Sequence, residues 1–562
     1  MIPKEILYCW LLVVVFIPTG LQASQVDDIR VVIDVSGSMV QTDPENLRVP
    51  ALRMLNGLIP TGSKAGVWTF GRYVNMEVKW GSVDANWRKR ADAGAEKIHS
   101  RGQFTNIERA LQRSTSGWDE ADSETRRSII LLTDGKVDVS KNAETNELSK
   151  ASILSETIPQ LVAKGVQVHA IALSNESDED LLKRIALDTS GSFEVAQSAD
   201  DLQRIFLRMF ERAVKPDTVP IEGNKFSVDK SISEMTLLVF RKGDQQVRLI
   251  QPDGVEQTQQ KHEDYVRWRN DLGYDLITVT EPVSGEWTLD ADVDDSNRVM
   301  IVADLKLAVD ELPAYTTPDQ DIQLKVELQN KDRKISKNSF LKFVNFQVVH
   351  TANGVTATFP LKLKESRELE DKGIYLQSIE APLDEGSHEV VVSADSRTFK
   401  RNKRFTIEVQ WPVVVDISKT DVPGSFRLGI QARPEYMQPD SLMLEVQLEY
   451  PDGELKPLEL TSVDNNWQAD IRADEQDGLH RLKIEFAGTS VSGNVISHDL
   501  PGYSILGVKR EDPAATSPSD ATDEELQKDA VPPIVVPEEP SVAKEGKSLT
   551  DSIILILIVN VV

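Results

Sequence analysis

The sequence predicts a doubly wound, Rossmann-like parallel α/β sheet followed by all-β immunoglobulin-like sandwiches. Two observations predict it. Over residues 28–214, short apolar β-branched runs alternate with amphipathic helical stretches, the pattern of a parallel sheet covered on both faces. After Lys215 the helical periodicity ends, and Asp-Gly or Asn-Gly turns between apolar strands return at Gly254, Gly354 and Gly453, intervals of 100 and 99 residues. Such turns signal hairpins, and a repeat of about 100 residues is the size of an immunoglobulin-like sandwich.

In chain order, "IRVVIDV" reads as a buried strand. Thr42 or Asp43 can cap a helix with Pro44 at its first position, and Leu47, Ala51, Leu52, Leu55, Leu58 and Ile59 give it an apolar stripe. Pro50 inside that stripe implies a kink, or a helix that starts there. "AGVWTFG" and "NMEVKW" read as strands, "NIERALQRS" as a helix and "SIILLTD" as a second buried strand. A helix through "SKASILSETIPQLVAKG", the strand "VQVHAIAL", the helix "DEDLLKRIAL", the strand "SFEVAQ" and an amphipathic helix through "DDLQRIFLRMFERAV" follow. Three sandwiches are expected at 216–303, 304–410 and 411–508, with Trp287 and Trp467 in their cores.

The ends differ in texture. Residues 1–23 place Lys4 before an apolar core and end at Ala23, the anatomy of a signal peptide. Cys9, the single cysteine, sits early in that core and so reads against a lipoprotein acylation site. Cleavage after Ala23 leaves no cysteine, so the exported domains are expected to fold without disulfides. Residues 509–548 are an acidic, Pro-rich linker. The tail, 549–562, ends in an apolar run over 553–562. As a helix that run covers about 15 Å, half of a bilayer core of roughly 30 Å. It reads as part of a transmembrane helix or as a short interfacial anchor. The expected address is the periplasmic or extracytoplasmic face, anchored at the C-terminus.

A chain of 562 residues predicts about three to five domains. Its net charge of −27 argues against nucleic acid as a partner and suits divalent cations.

Chemistry concentrates in "VVIDVSGSMV", where Asp34, Ser36 and Ser38 follow the first buried strand. Ligands of doubly wound sheets bind at the carboxyl ends of strands. Thr105, in a loop before a helix, and Asp134, at the end of "SIILLTD", can converge there. These residues resemble a von Willebrand factor type A (VWA) domain with a metal-ion-dependent adhesion site. The resemblance covers about a third of the chain and all five site positions in order.

The resemblance implies that Ser36, Ser38 and Thr105 bind Mg²⁺ directly, with Mn²⁺ or Ca²⁺ as other candidates, and that Asp34 and Asp134 act directly or through water. Mg²⁺ takes six oxygens in a near-octahedral array. Gly37 is expected to let the loop fold tightly. A protein partner presenting Asp or Glu would complete the shell. The alternative is a structural component of an envelope complex, with metal serving stability only.

A second Asp-x-Ser-x-Ser, at Asp188, Ser190 and Ser192, runs from helix to strand and is read as a turn, with Gly191 as a helix C-terminal glycine. The acidic run Asp290, Asp292, Asp294 and Asp295 lacks the Gly and Glu of an EF-hand and reads as a solvated hairpin. "GWDEADSE" (Trp118, Asp119, Glu120, Asp122, Glu124) reads as a rim of the metal face or a solvated loop. His169 is read as a packed strand residue. "SHEVVV", with His388, lacks the second His of a zinc-protease helix and reads as a strand. No Walker loop, Gly-x-Ser-x-Gly elbow or Cys/His cluster is present, so the chain is not expected to be an enzyme.

Overall fold

The computed structural model describes residues 25–507, apart from 123, 174–176, 198, 244, 365–371, 421, 423, 435, 464–465, 474–475, 491–492, 494 and 501. The signal peptide, linker and apolar tail expected from the sequence lie outside the described residues. Among those described, no helix is long and apolar enough to cross a membrane. The chain divides into two compact units, 1–410 and 411–562.

The first unit begins with a six-stranded sheet: β1 Val26–Asp34, β2 Lys64–Phe70, β3 Val74–Ser82, β4 Thr125–Thr133, β5 Val166–Ala172 and β6 Phe193–Val195, in the order β3-β2-β1-β4-β5-β6. The order reverses between β1 and β4, which pair in parallel from Val26↔Thr125 to Ile33↔Leu132. β1 and β4 are buried over seven successive residues each, so both faces must be covered. Helices α1 Met39–Thr42, α2 Arg48–Leu58, α3 Ala85–Ala95, α4 Ile107–Ser114, α5 Ala143–Ser152, α6 Ile158–Ala163, α7 Glu179–Asp188 and α8 Ala199–Val214 cover them. A π-turn, Ile153–Thr157, joins α5 to α6. β3 departs from the all-parallel expectation, because it returns antiparallel to β2 through a tight turn.

Two other differences concern helices. The helix expected at Pro44 starts four residues later, at Arg48, and Pro50 sits in its first turn, where a missing N–H costs nothing. Leu47, not Thr42 or Asp43, occupies its N-cap, and Asp43 instead accepts from the backbone N–H of Leu47 (2.7 Å) and Arg48 (3.3 Å) as the chain enters the helix. The sequence reading also omitted α3. Asp84 caps that helix by accepting from Trp87 N–H at 2.6 Å, and only Trp87, Ala91 and Ala95 carry its apolar stripe, a signal diluted by alanine.

The rest of the first unit is antiparallel apart from the short strand Tyr315–Thr316, which pairs in parallel with Lys400–Val409. One core gathers Phe226, Leu237, Ile277 and Trp287 among residues 219–303. A second gathers Leu307, Val326, Val390 and Ile407 among residues 305–409. A ten-stranded sheet runs through both regions. The strand Asp217–Val219 joins them, with Thr218 opposite Met300 on one side and Asn402 on the other. The second unit packs two antiparallel sheets around Leu428, Ile430, Leu482 and Phe486. Trp287 is fully buried, whereas Trp467 is half-buried against its core.

His169 of β5 is buried, as its place in an apolar strand required, and its Nδ1 lies 2.8 Å from Ser192 Oγ. Burial first, then the charges of Arg212 and Lys215, hold its imidazolium down to about 3. A folded-state pKa below the unfolded value of about 6.5 gives stability that is complete above that value and lost as pH falls towards about 3. Between pH 7 and pH 5, chemical denaturation should therefore show the wild type losing on the order of 2 kcal/mol more than His169→Gln. Parallel pH profiles for the two proteins would refute this assignment.

Candidate metal centre

β1 ends at Asp34, β4 ends at Thr133, and the loops that follow diverge at the switch point of the sheet. This opens the crevice that doubly wound sheets use for ligands. Asp34, Ser36, Thr105 and Asp134 are all at most 4% exposed, while Gly37 and Ser38 face solvent.

Four of the five sequence-predicted residues are linked by hydrogen bonds. Asp34 Oδ1 accepts from the backbone N–H of Ser36 at 2.7 Å, and Oδ2 accepts from Thr133 Oγ1 at 2.6 Å. Ser36 Oγ lies 3.0 Å from Ser38 Oγ, and Ser38 Oγ donates to Asp134 Oδ1 at 2.9 Å. Thr42 Oγ1 donates to the other Asp134 oxygen at 2.5 Å. Thr105 is tied in through backbone: its N–H donates to Asp138 O at 2.6 Å and its carbonyl accepts from Asp138 N–H at 3.1 Å. Its side chain packs against Gly135, so that a Cβ there would come 3.2 Å from Thr105 Oγ1.

The Thr105 loop reaches the first loop through Gly102. Its N–H donates to Val35 O at 2.7 Å, and a Cβ at this position would fall 2.6 Å from that same oxygen. Glycine is therefore required here for close approach. Gly37 has no such role: its φ is not left-handed, and a Cβ would meet only Gly102 O, at 3.6 Å. The expectation that Gly37 permits the tight loop is corrected to Gly102.

Burial is the largest influence on Asp34 and pushes its carboxyl up to about 6; hydrogen bonds from Thr133 and Ser36 oppose this, and the Asp134 charge adds to it. The donor set is two carboxylates and three hydroxyls, all oxygen, which suits a hard divalent cation. An octahedral shell at about 2.1 Å has edges of about 3.0 Å. The Ser36–Ser38 and Ser38–Asp134 oxygen separations, 3.0 and 2.9 Å, match such edges. The residues fit the ion. Among the described residues no group of three or more His, Cys, Asp or Glu is placed to hold a metal; the candidate set would draw three of its five donors from hydroxyls instead.

Sequence reasoning missed Thr42, Thr133 and Arg48. The buried Arg48 donates to Asp34 O (2.7 Å), Asp43 Oδ2 (2.6 Å) and Ser100 Oγ (2.6 Å). Thr133 was visible as the hydroxyl next to Asp134; nothing in the local pattern marks Arg48 as internal.

The second Asp-x-Ser-x-Ser lies at the amino end of the sheet. Asp188 closes α7 and pairs with Arg184 at 2.5 Å. Ser190, and not Gly191, takes the left-handed φ of 56°. Gly191 is needed for another reason: a Cβ would lie 1.9 Å from Val168 O. In the acidic hairpin, Arg204 holds Asp294 down to about 2, which commits that carboxylate to an ion pair. "GWDEADSE" precedes β4 at the amino edge, where Trp118 Nε1 donates to Asp28 at 2.8 Å, so it does not rim the candidate centre.

The fold and this oxygen-lined crevice define a doubly wound α/β domain with a candidate cation site at the switch point of its sheet. Residues 28–208 match the sequence model of the von Willebrand factor type A domain, and this part of the chain is a VWA domain, a class of interaction modules. No curated protein matches the chain. Among solved structures, a von Willebrand factor type A protein from Catenulispora acidiphila is 14% identical over 55% of this chain and 63% of its own, with a TM-score of 0.29. Proximal thread matrix protein 1 from the mussel byssus is 22% identical over 34% of this chain and 46% of its own, with a TM-score of 0.27. The pilus adhesin SpaC from Lactobacillus rhamnosus GG is 10% identical over 87% of this chain and 83% of its own, also with a TM-score of 0.27. The chain thus covers under two thirds of the first two proteins.

Thr133→Val keeps shape but removes the hydroxyl that donates to buried Asp34. It should cost about 1–3 kcal/mol in denaturation experiments; a change within error would show that this bond does not hold the crevice together.

Proposed function

We propose that the chain is an exported, membrane-tethered binding protein whose VWA domain engages an acidic residue of a protein partner through a divalent ion. One observation carries the reading: Asp34, Ser36, Ser38 and Asp134 are linked in series, first through the Ser36 backbone N–H and then from hydroxyl to hydroxyl to carboxylate, in a crevice open to solvent at Gly37 and Ser38. Ser36, Ser38, Thr105, Asp34 and Asp134 would hold Mg²⁺, with Mn²⁺ or Ca²⁺ as substitutes. When bound, the ion supplies a Lewis-acidic position for one carboxylate oxygen of the partner.

The chain's own residues do the rest. Thr42 and Thr133 orient the two carboxylates by hydrogen bonds, and hydroxyls between them keep two like charges from meeting directly. Exposure at Ser38 gives the partner its line of approach. Lys4 with the apolar stretch ending at Ala23 supports export, and the apolar run 553–562 supports the tether.

Mg²⁺ at 100 times its dissociation constant should stabilise the protein by about 2.7 kcal/mol, seen as a rise in melting temperature that Asp134→Ala abolishes. Partner recovery should fall in EDTA and with Asp34→Ala. Equal recovery in every arm, with the Mg²⁺ shift intact, would instead favour an assembly role in which metal serves stability alone.

A further inference from the structure

Two histidines that the VWA domain does not use meet at one end of the second antiparallel region. His350 lies on the strand Asn345–Ala352 and His388 on the neighbouring strand Gly386–Asp395. Register places His388 opposite Ala352, two residues from His350, so both side chains fall on the same face. His350 Nε2 and His388 Nδ1 are 2.9 Å apart. They line an open cleft of about 400 Å³ whose wall also carries Glu380, Asp384, Gln377 and Ser378.

The protonation pattern of His388 is set by its surroundings. Its other nitrogen, Nε2, donates to the backbone carbonyl of Asp384 at 2.7 Å, which leaves Nδ1 as a lone pair aimed at His350. A ring N–H held by a carbonyl is the support that metal-ligating histidines use. His350 is half-buried and lines the same cleft. The facing nitrogens must share something between them. In the bare protein it is the proton on His350 Nε2; with that proton moved to Nδ1, both nitrogens offer a lone pair, and a turn of the His350 ring would aim the two at a common point beside the line between them.

We propose that His350 and His388 form a two-imidazole site for a transition-metal cation of tetragonal preference, Cu²⁺ first and Ni²⁺ second. The separation decides the geometry. Two nitrogens each about 2.0 Å from one ion and about 2.9 Å apart subtend close to 90°, the cis angle of square and tetragonal copper or nickel sites rather than the wider angle of tetrahedral zinc. Among the described residues no third His, Cys, Asp or Glu joins the pair. Water fills the remaining positions, and Glu380 and Asp384 supply negative potential at the cleft wall. His388 is buried and His350 half-buried, so an ion would reach the pair from the cleft. It shares no residue with the candidate VWA centre, so either can fail without the other.

The test is titration of the full chain with Cu²⁺, Ni²⁺ and Zn²⁺ in saturating Mg²⁺, read by calorimetry and, for Cu²⁺, by electron paramagnetic resonance. One Cu²⁺ per chain with hyperfine structure from two imidazole nitrogens is expected, with affinity falling in the order Cu²⁺, Ni²⁺, Zn²⁺. His350→Gln, at a half-buried position, should weaken Cu²⁺ binding at least tenfold and remove the two-nitrogen signal. His262→Gln, at an exposed solitary histidine, should change neither. Unaltered affinity and spectrum in His350→Gln would overturn the site, and tighter Zn²⁺ than Cu²⁺ binding would overturn its geometry.

Discussion

The guanidinium of Arg48 has no solvent-exposed surface, yet it hydrogen-bonds the carbonyl at the end of β1, the Asp43 carboxylate ahead of α2 and the Ser100 hydroxyl just before Gly102. A buried charge is tolerable only when it is paired and its donors are used. The three segments that border the candidate centre are therefore folded around one cation. Gly102 then brings its loop onto Val35 at a distance no side chain would allow. The positions of Ser36, Ser38 and Thr105 follow from these two constraints, since each residue lies within three positions of a clamped backbone atom.

That clamp places two carboxylates, Asp34 and Asp134, in a crevice where each is almost wholly buried. Burial disfavours the charged form of Asp34, and the Asp134 charge adds to this. Three neighbouring hydroxyls offset part of this: Thr133 serves Asp34, while Ser38 and Thr42 serve Asp134. A divalent cation would remove the remaining conflict. The conflict sits on the side where Gly37 and Ser38 are exposed, the side from which a partner would come.

Much of this was legible before any coordinates. Asp34 and Asp134 end apolar β-branched runs, and direction along the chain separated "VVIDVSGSMV" from the turn at "LDTSGSFEV". What escaped was non-local. Arg48 reads as a surface residue because its three partners lie 14, 5 and 52 positions away. Gly191 reads as a helix cap because its neighbour Val168 is on another strand. The α3 helix hid behind a stripe of one tryptophan and two alanines. The histidine pair was invisible for the same reason: "VVHTANG" and "SHEVVV" are ordinary strands until register sets them side by side.

The first antiparallel region that follows the α/β sheet is not packed apart from it. Leu238, Phe240, Tyr274, Leu276 and Met300 belong to the same apolar core as α2 and α8 of the VWA domain. Tyr274 donates its hydroxyl to Pro50 O at 3.0 Å, in the first turn of α2. Arg204 of α8 pairs with Asp294, and Glu211 of α8 with Arg298. Asp217–Val219 carries the sheet onward to Asn402. The helix whose first residue is Arg48 is thus braced from behind by the antiparallel region. The start of α2, where Arg48 sits beside the crevice, is thus packed directly against a continuous antiparallel sheet.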